Sequence, residues 1–296
     1  MAALKPIETL GFIGLGVMGE PMCANLLAKS GRAVYGADKR PAPVERLAAR
    51  GLNACASVAE VAAAADAIFL SLPSGREVEE VCLGPGGIVA VGGRVHTVVD
   101  MSTSPPKLMA TLADKLAAHG IGFLDAPVAR TRQAARDGTL SIMVGGPAEA
   151  VEAMRPFLAC MGTEITHCGG VGAGQVVKIL NNMVVFMTGQ ALAEALTIAR
   201  RAGVDGKLLF EVMSKGSSDS FVLRNHGLKA MVPGVFPEDA FPTDYAIKDI
   251  KLALDLAAQG GVTAQGAQTT RALLEATSRA GYSGQYWPVI VKMVET

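Results

Sequence analysis

Between residue 9 and about residue 167, short apolar runs alternate with alanine-rich amphipathic stretches. That alternation predicts a parallel sheet whose strands are covered by crossover helices. The runs that read as strands are 9–14, 33–37, 67–72, 95–101, 122–125, 140–144 and 164–168. Ser57 and Glu60 stand at capping-box spacing and predict a helix over 58–65, while Ser104-Pro105-Pro106 leads into another over 107–119. After Gly169-Gly170 the strand signal stops. Helical periodicity then fills 174–202, 206–213, 246–259 and 265–280. The expected organisation is an α/β domain over residues 1–167 and an all-helical domain over 168–296.

Composition narrows the classes. A chain of 296 residues that is 50% hydrophobic and 18% charged has enough apolar material for two cores. Its 27 Lys plus Arg balance 27 Asp plus Glu, leaving no positive surplus to neutralise a phosphate backbone, so nucleic acid is not an expected partner. The five cysteines are odd in number and form no C-x-x-C pair, which argues for buried reduced thiols over a disulfide framework or a zinc site. His96, His119, His167 and His226 fall in no ligand spacing, and no metal is expected. The N-terminus reaches glycines before any apolar run of signal-peptide length, so a cytoplasmic protein is expected. The most apolar stretch, 176–199, contains Lys178, Asn181, Asn182, Gln190 and Glu194 and reads as a core helix, not a membrane span.

The first predicted strand runs into Gly14-Leu15-Gly16-Val17-Met18-Gly19 and then a helical stretch over 20–29. The first glycine of such a loop permits a tight turn, the second lets backbone approach a pyrophosphate, and the third lets helix and strand pack closely. Free N–H groups at the helix start then meet the anion. The fold class implied is a Rossmann-type doubly wound parallel sheet, followed by the all-helical domain. Asp38 lies 19 residues beyond Gly19, where an acid accepts hydrogen bonds from the adenosine ribose and repels a 2′-phosphate. NAD is the expected cofactor. Lys39 and Arg40 are the residues that would clamp NADP instead.

Further motifs follow in order: Leu72-Pro73, Asp100-Met101-Ser102-Thr103, Asp125-Ala126-Pro127-Val128, Gly172-Ala173-Gly174 leading to Lys178-Ile179-Leu180-Asn181-Asn182, and Lys248-Asp249. With the glycine loop they resemble the β-hydroxyacid dehydrogenases, the group containing 3-hydroxyisobutyrate dehydrogenase, tartronate semialdehyde reductase and, more distantly, 6-phosphogluconate dehydrogenase. The resemblance implies hydride transfer between nicotinamide and a small anionic hydroxy acid or semialdehyde. It implies Lys178 as the catalytic lysine, Ser102 and Thr103 as the loop meeting nicotinamide and substrate, and Leu72 and Pro73 as cofactor contacts. It further implies that Asn182 helps hold the substrate and that Lys248 stands near the active site. Helix geometry agrees independently: at ~100° per residue Lys178, Asn181 and Asn182 leave one side of an otherwise apolar helix.

One loop departs from the common pattern. After Asp125-Ala126-Pro127-Val128 most of the family resembles Ser-Gly-Gly, whereas this chain has Ala129-Arg130-Thr131. A guanidinium fork suits an anion with more oxygens or longer reach than one carboxylate. The substitution resembles the sulfolactaldehyde reductase branch, whose loop reads Gly-Arg-Thr and which uses NADH to reduce 3-sulfolactaldehyde to 2,3-dihydroxypropane-1-sulfonate. Arg130 and Asn181 would then bind the sulfonate, with Thr131 beside them. Val185 stands where that branch has a sulfonate-binding serine. The readings left open are a 3-hydroxyisobutyrate, tartronate semialdehyde or 4-hydroxybutyrate type dehydrogenase, and a catalytically silent dinucleotide-binding protein. The long apolar helix and the small helical half point to a homodimer or homotetramer.

Overall fold

The computed structural model describes residues 6–238 and 240–295. The chain divides into two compact units, one reaching to Lys178 and the other beginning at Ile179.

In the first unit β1 (Thr9–Ile13), α1 (Gly19–Lys29), β2 (Ala33–Ala37), α2 (Pro41–Ala48), β3 (Asn53–Ala54), α3 (Val58–Ala64) and β4 (Ala67–Leu70) open the sheet. They are followed by α4 (Gly75–Leu83), α5 (Ile88–Val91), β5 (Thr97–Asp100), α6 (Pro106–Ala117) and β6 (Gly122–Asp125). The strand order is β3-β2-β1-β4-β5-β6, every neighbouring pair parallel. This is the doubly wound arrangement, and it places the ends of β1, β4, β5 and β6 along one carboxyl edge.

The sheet is not parallel throughout. Past β6, a short β7 (Val128–Ala129), α7 (Arg132–Asp137) and β8 (Leu140–Gly145) intervene, and β8 runs antiparallel to both β6 and β7. After α8 (Ala148–Leu158), β9 (Gly162–Gly169) returns parallel to β8. Because β7 continues the course of β6, the backbone of residues 128–131 is carried beyond the carboxyl end of β6.

Period-two alternation sorts the strand side chains between two cores. Phe12, Phe69, Val99 and Leu124 enter one cluster with Met22, Leu26 and Met154. Their neighbours Ile13, Ile68, Val98 and Phe123 enter the other with Val78, Met109 and Leu112. The predicted cap of α3 forms: Ser57 Oγ accepts from Glu60 N–H at 3.2 Å, while Glu60 reaches back to the N–H of Ala56 at 2.8 Å. Ser104-Pro105-Pro106 does lead into α6. Pro105 is the residue before α6, and Ser104 is wholly buried.

Helix α9 (Ala173–Arg201) is 29 residues long and leads into the second unit. It is the one helix, among the described residues, long and apolar enough to cross a membrane. The rest of that unit is helical: α10 (Gly206–Met213), a wide turn over Leu223–Met231, α11 (Thr243–Gln259), α12 (Gln265–Thr277) and α13 (Val291–Glu295). The helix expected over 265–280 ends early, where the coil widens at Ser278–Tyr282 and Gly281 adopts φ 92°. Trp287 sits in this core with Phe186, Leu196 and Ile250. Gly189 makes room for it, since a Cβ there would lie 2.3 Å from the indole. Of the cysteines, Cys23, Cys82 and Cys160 are buried as expected, but Cys55 and Cys168 are half-buried.

Candidate active site

The three loop glycines have three different reasons to lack a side chain. A Cβ on Gly14, at φ 92°, would lie 2.3 Å from the carbonyl oxygen of Ser71, and one on Gly19 would lie 2.0 Å from that of Gly14. The closed turn and the helix–strand contact both forbid it. At Gly16 a Cβ would meet no protein atom closer than Arg40 Nη2 at 3.9 Å, so backbone is bared toward open space. Met18, the residue before α1, provides no side-chain cap. Bare backbone at an uncapped helix start is a cradle that fits a pyrophosphate. Leu15 is buried, Val17 is exposed and Met18 is half-buried.

Asp38, at the end of β2, is tied to this loop. Its Oδ2 accepts from Leu15 N–H at 2.6 Å, and its Oδ1 accepts from Arg40 N–H at 2.8 Å and Nε at 3.1 Å. Arg40 Nη2 also reaches Leu15 O at 3.1 Å. Burial by itself would raise the Asp38 carboxyl, but the hydrogen bonds from Arg40 and Leu15 outweigh it and hold the group below the ordinary carboxylate range. An ionised acid is thus fixed beside the glycine loop. Lys39 is exposed.

At the carboxyl edge, β5 and β6 end on register partners, Asp100 and Asp125. Asp125 caps α9 from outside the helix: Oδ1 accepts from Gly172 N–H at 2.6 Å and Oδ2 from Gln175 N–H at 2.8 Å. An acid at a helix N-terminus is favoured by the unpaired amides and the helix dipole together. Asp100 holds the next loop, accepting from Ser102 N–H at 2.9 Å and from Ser104 Oγ at 3.3 Å. Burial pushes the Asp100 carboxyl up to about 6, against the pull of the Ser102 hydrogen bonds, with the Asp125 charge pushing further. Burial likewise raises Asp125, opposed by the backbone N–H groups of Gly172 and Gln175.

Ser102, expected to face ligand, is 5% exposed, and its hydroxyl accepts from Leu72 N–H at 2.9 Å. It joins the Leu72-Pro73 loop to the Asp100 loop. Thr103 is half-buried and Pro73 exposed. Sequence reasoning gave no role to Gln175, which is wholly buried and bonds both Ser102 and Ser104. Two apolar strands each ending in Asp was the signal that could have marked the carboxylate pair.

Lys178 stands one turn into α9 beyond Gln175, and the Asn pair follows on the next turn. Within the second unit Asn181, exposed, donates through Nδ2 to Asn182 Oδ1 at 3.1 Å, and Asn182 donates to Asp249 Oδ2 at 2.7 Å. Asp249, on α11, is 2% exposed, and its Oδ1 lies 3.4 Å from Lys248 Nζ. Asp249, which has no expected role in the Lys248-Asp249 motif, fixes the Asn182 amide and pairs Lys248, which also lies 5.5 Å above the Tyr245 ring.

Arg130 and Thr131 make their hydrogen bonds among β8, β9 and α7. Arg130 is exposed and donates through Nη1 to Thr139 O at 2.6 Å and Thr163 Oγ1 at 3.3 Å, bridging the starts of β8 and β9. It is the one non-glycine residue with positive φ among the described residues, at 87°. The Thr131 hydroxyl caps α7, accepting from Ala134 N–H at 3.3 Å.

Comparison with known proteins decides the family. Residues 9–170 match the family model described as the NAD binding domain of 6-phosphogluconate dehydrogenase, and residues 172–293 match that for the NAD-binding of NADP-dependent 3-hydroxyisobutyrate dehydrogenase. The chain belongs to the β-hydroxyacid dehydrogenase family. It is 36% identical to 2-(hydroxymethyl)glutarate dehydrogenase of Eubacterium barkeri, over 97% of this chain and 94% of that one. To 3-hydroxyisobutyrate dehydrogenase of Pseudomonas aeruginosa it is 39% identical, over 83% of this chain and 84% of the relative. The solved 3-hydroxyisobutyrate dehydrogenase of Mycobacterium tuberculosis with L-serine superposes with a TM-score of 0.86 at 29% identity, covering 98% of this chain and 100% of that one. This β-hydroxyacid dehydrogenase is therefore an NAD(P)-binding oxidoreductase with a Rossmann-type domain and a helical domain.

Proposed function

We propose that this enzyme interconverts a small anionic β-hydroxy acid and its semialdehyde with NAD, Lys178 serving as the acid–base group. The observation that carries the reading is α9 itself: a buried carboxylate caps its first turn, and Lys178, Asn181 and Asn182 follow on the next turns. Bound nicotinamide would supply or accept the hydride. Lys178 gives its proton to the carbonyl oxygen of the semialdehyde in reduction and takes the hydroxyl proton back in oxidation. A positioned acid–base group of this kind is worth roughly 10²–10⁴-fold. Thr103 and Asn182 orient the substrate, Asp249 fixing the Asn182 amide. Gly14 to Gly19 and Asp38 hold the two ends of the adenosine diphosphate, Leu72 and Pro73 flank the nicotinamide side, and Lys248 adds a cation.

For the substrate's second anionic group we propose Arg130 as receptor and 3-sulfolactaldehyde as substrate, on the Ala129-Arg130-Thr131 loop. A dicarboxylic hydroxy acid is the second reading, favoured by the relative named 2-(hydroxymethyl)glutarate dehydrogenase. The functional division we propose falls between residues 167 and 168, in a cytoplasmic homodimer or homotetramer. Val177, Leu180, Val184 and Ile198 support the subunit contact, because they are exposed along one stripe of α9. Following NADH absorbance with a panel of sulfonated and carboxylated semialdehydes tests the whole reading. A faster rate with the sulfonate is expected; turnover of none of them would overturn it.

A further inference from the structure

Gln175 carries no ionisable group and no exposed atom, yet every polar atom of its side chain is spent on one short segment. Its Nε2 donates to Ser102 O at 2.8 Å, and its Oε1 accepts from Ser104 N–H at 3.0 Å. The amide therefore grips the chain on both sides of Thr103. Its own backbone N–H is among those that Asp125 holds, at 2.8 Å. Met109 of α6 closes the remaining side, with its sulfur 3.9 Å from Nε2. Lys178 lies three residues further along the same helix, so one rigid turn separates the grip on Thr103 from the amine.

We infer that Gln175 is a positioning residue for the reaction proposed above, setting the distance between the Ser102–Ser104 segment and Lys178. It touches neither substrate nor cofactor. It acts because a buried amide can donate and accept at once, which an apolar side chain of equal size cannot, and because both contacts are to backbone. Misplacing reacting groups by about 1 Å costs on the order of 10²-fold in rate.

Two variants and two readouts test this. Gln175→Leu should leave the KM for cofactor within about threefold, lower kcat by about 10²-fold, and speed hydrogen exchange at the Ser104 amide. Gln175→Glu should do something that a purely structural loss does not. Protonated, the new carboxyl donates to Ser102 O and accepts from Ser104 N–H as the amide did; ionised, it loses the donor and stands near Asp100 on β5 and Asp125 on β6, with Lys178 one turn away. Its kcat should approach the native value at acid pH and fall as pH rises, with the native enzyme as the reference profile. If folded Gln175→Leu keeps kcat within twofold of native, or if the Gln175→Glu profile superimposes on the native one, the inference is wrong. Should the native enzyme turn over no hydroxy acid or semialdehyde, the proposed activity fails by itself, and unchanged exchange at Ser104 in Gln175→Leu would then overturn the grip on the loop.

Discussion

Asp100 and Asp125 face one another as register partners at the ends of β5 and β6, each carboxylate wholly withdrawn from water. Two like charges so placed oppose each other's ionisation, and the folded Asp100 carboxyl, pushed up to about 6 chiefly by burial, lies above the ~3.9 of an unfolded aspartate. The folded state then binds that proton more tightly. Stability from this group is complete below about pH 4 and is lost as pH rises through about 6. Asp100→Asn keeps the shape without the charge, so its stability relative to native should rise by about 2 kcal/mol between pH 4 and pH 8. Urea unfolding at both pH values checks it; a gain that shrinks with rising pH would be the wrong sign.

Lys178→Ala should lower kcat by at least ~10²-fold while NADH binding, followed by fluorescence, stays nearly unchanged. A variant with near-native turnover would remove Lys178 from the mechanism.

The Asp38 carboxylate, bridged to Leu15 N–H and Arg40, should give NADH a higher kcat/KM than NADPH. Asp38→Ala should narrow the gap, leaving Arg40 to meet the 2′-phosphate of NADPH. Saturation curves for both cofactors on both proteins decide it. Native preference for NADPH would hand the site to Lys39 and Arg40.

Arg130 separates two effects. Its φ of 87° costs a non-glycine residue about 1–2 kcal/mol, which Arg130→Gly relieves while losing the bonds to Thr139 and Thr163. Stability should therefore change little, whereas KM for an anionic semialdehyde should rise by ~10-fold or more. Arg130→Lys should recover only part, since a point charge does not reproduce the fork. Equal KM values across these proteins would reduce Arg130 to a loop residue bridging β8 and β9.

What the sequence disclosed was local. The glycine loop, the strands at 33–37 and 122–125 and the Ser57 cap depend on neighbours a few positions apart, and the structure has them as expected. Gln175 could not be found that way, because its partners lie 73 and 71 positions earlier and its own neighbours read as ordinary helix. Asp249 meets Asn182 across 67 positions for the same reason. The antiparallel joint at β8 was equally hidden, since an apolar run buried on both faces carries no mark of its direction. Ser102 and Thr131 were expected to meet substrate. Their hydroxyls, however, bond Leu72 N–H and Ala134 N–H within the fold.

The glycine loop has a consequence for descent. Two of its glycines answer to the chain's own folding, because a methyl at Gly14 or Gly19 would strike backbone at 2.3 or 2.0 Å; the third, Gly16, answers to nothing the protein itself contains within bonding range. Selection therefore acts on these positions through separate routes. A side chain at Gly14 or Gly19 should disturb the fold itself, while Gly16→Ala should disturb only a bound dinucleotide. A duplicated gene freed from metabolic duty can drift at residue 16, keep every strand and helix, and persist as a folded protein with Lys178 still in place and nothing left for it to serve.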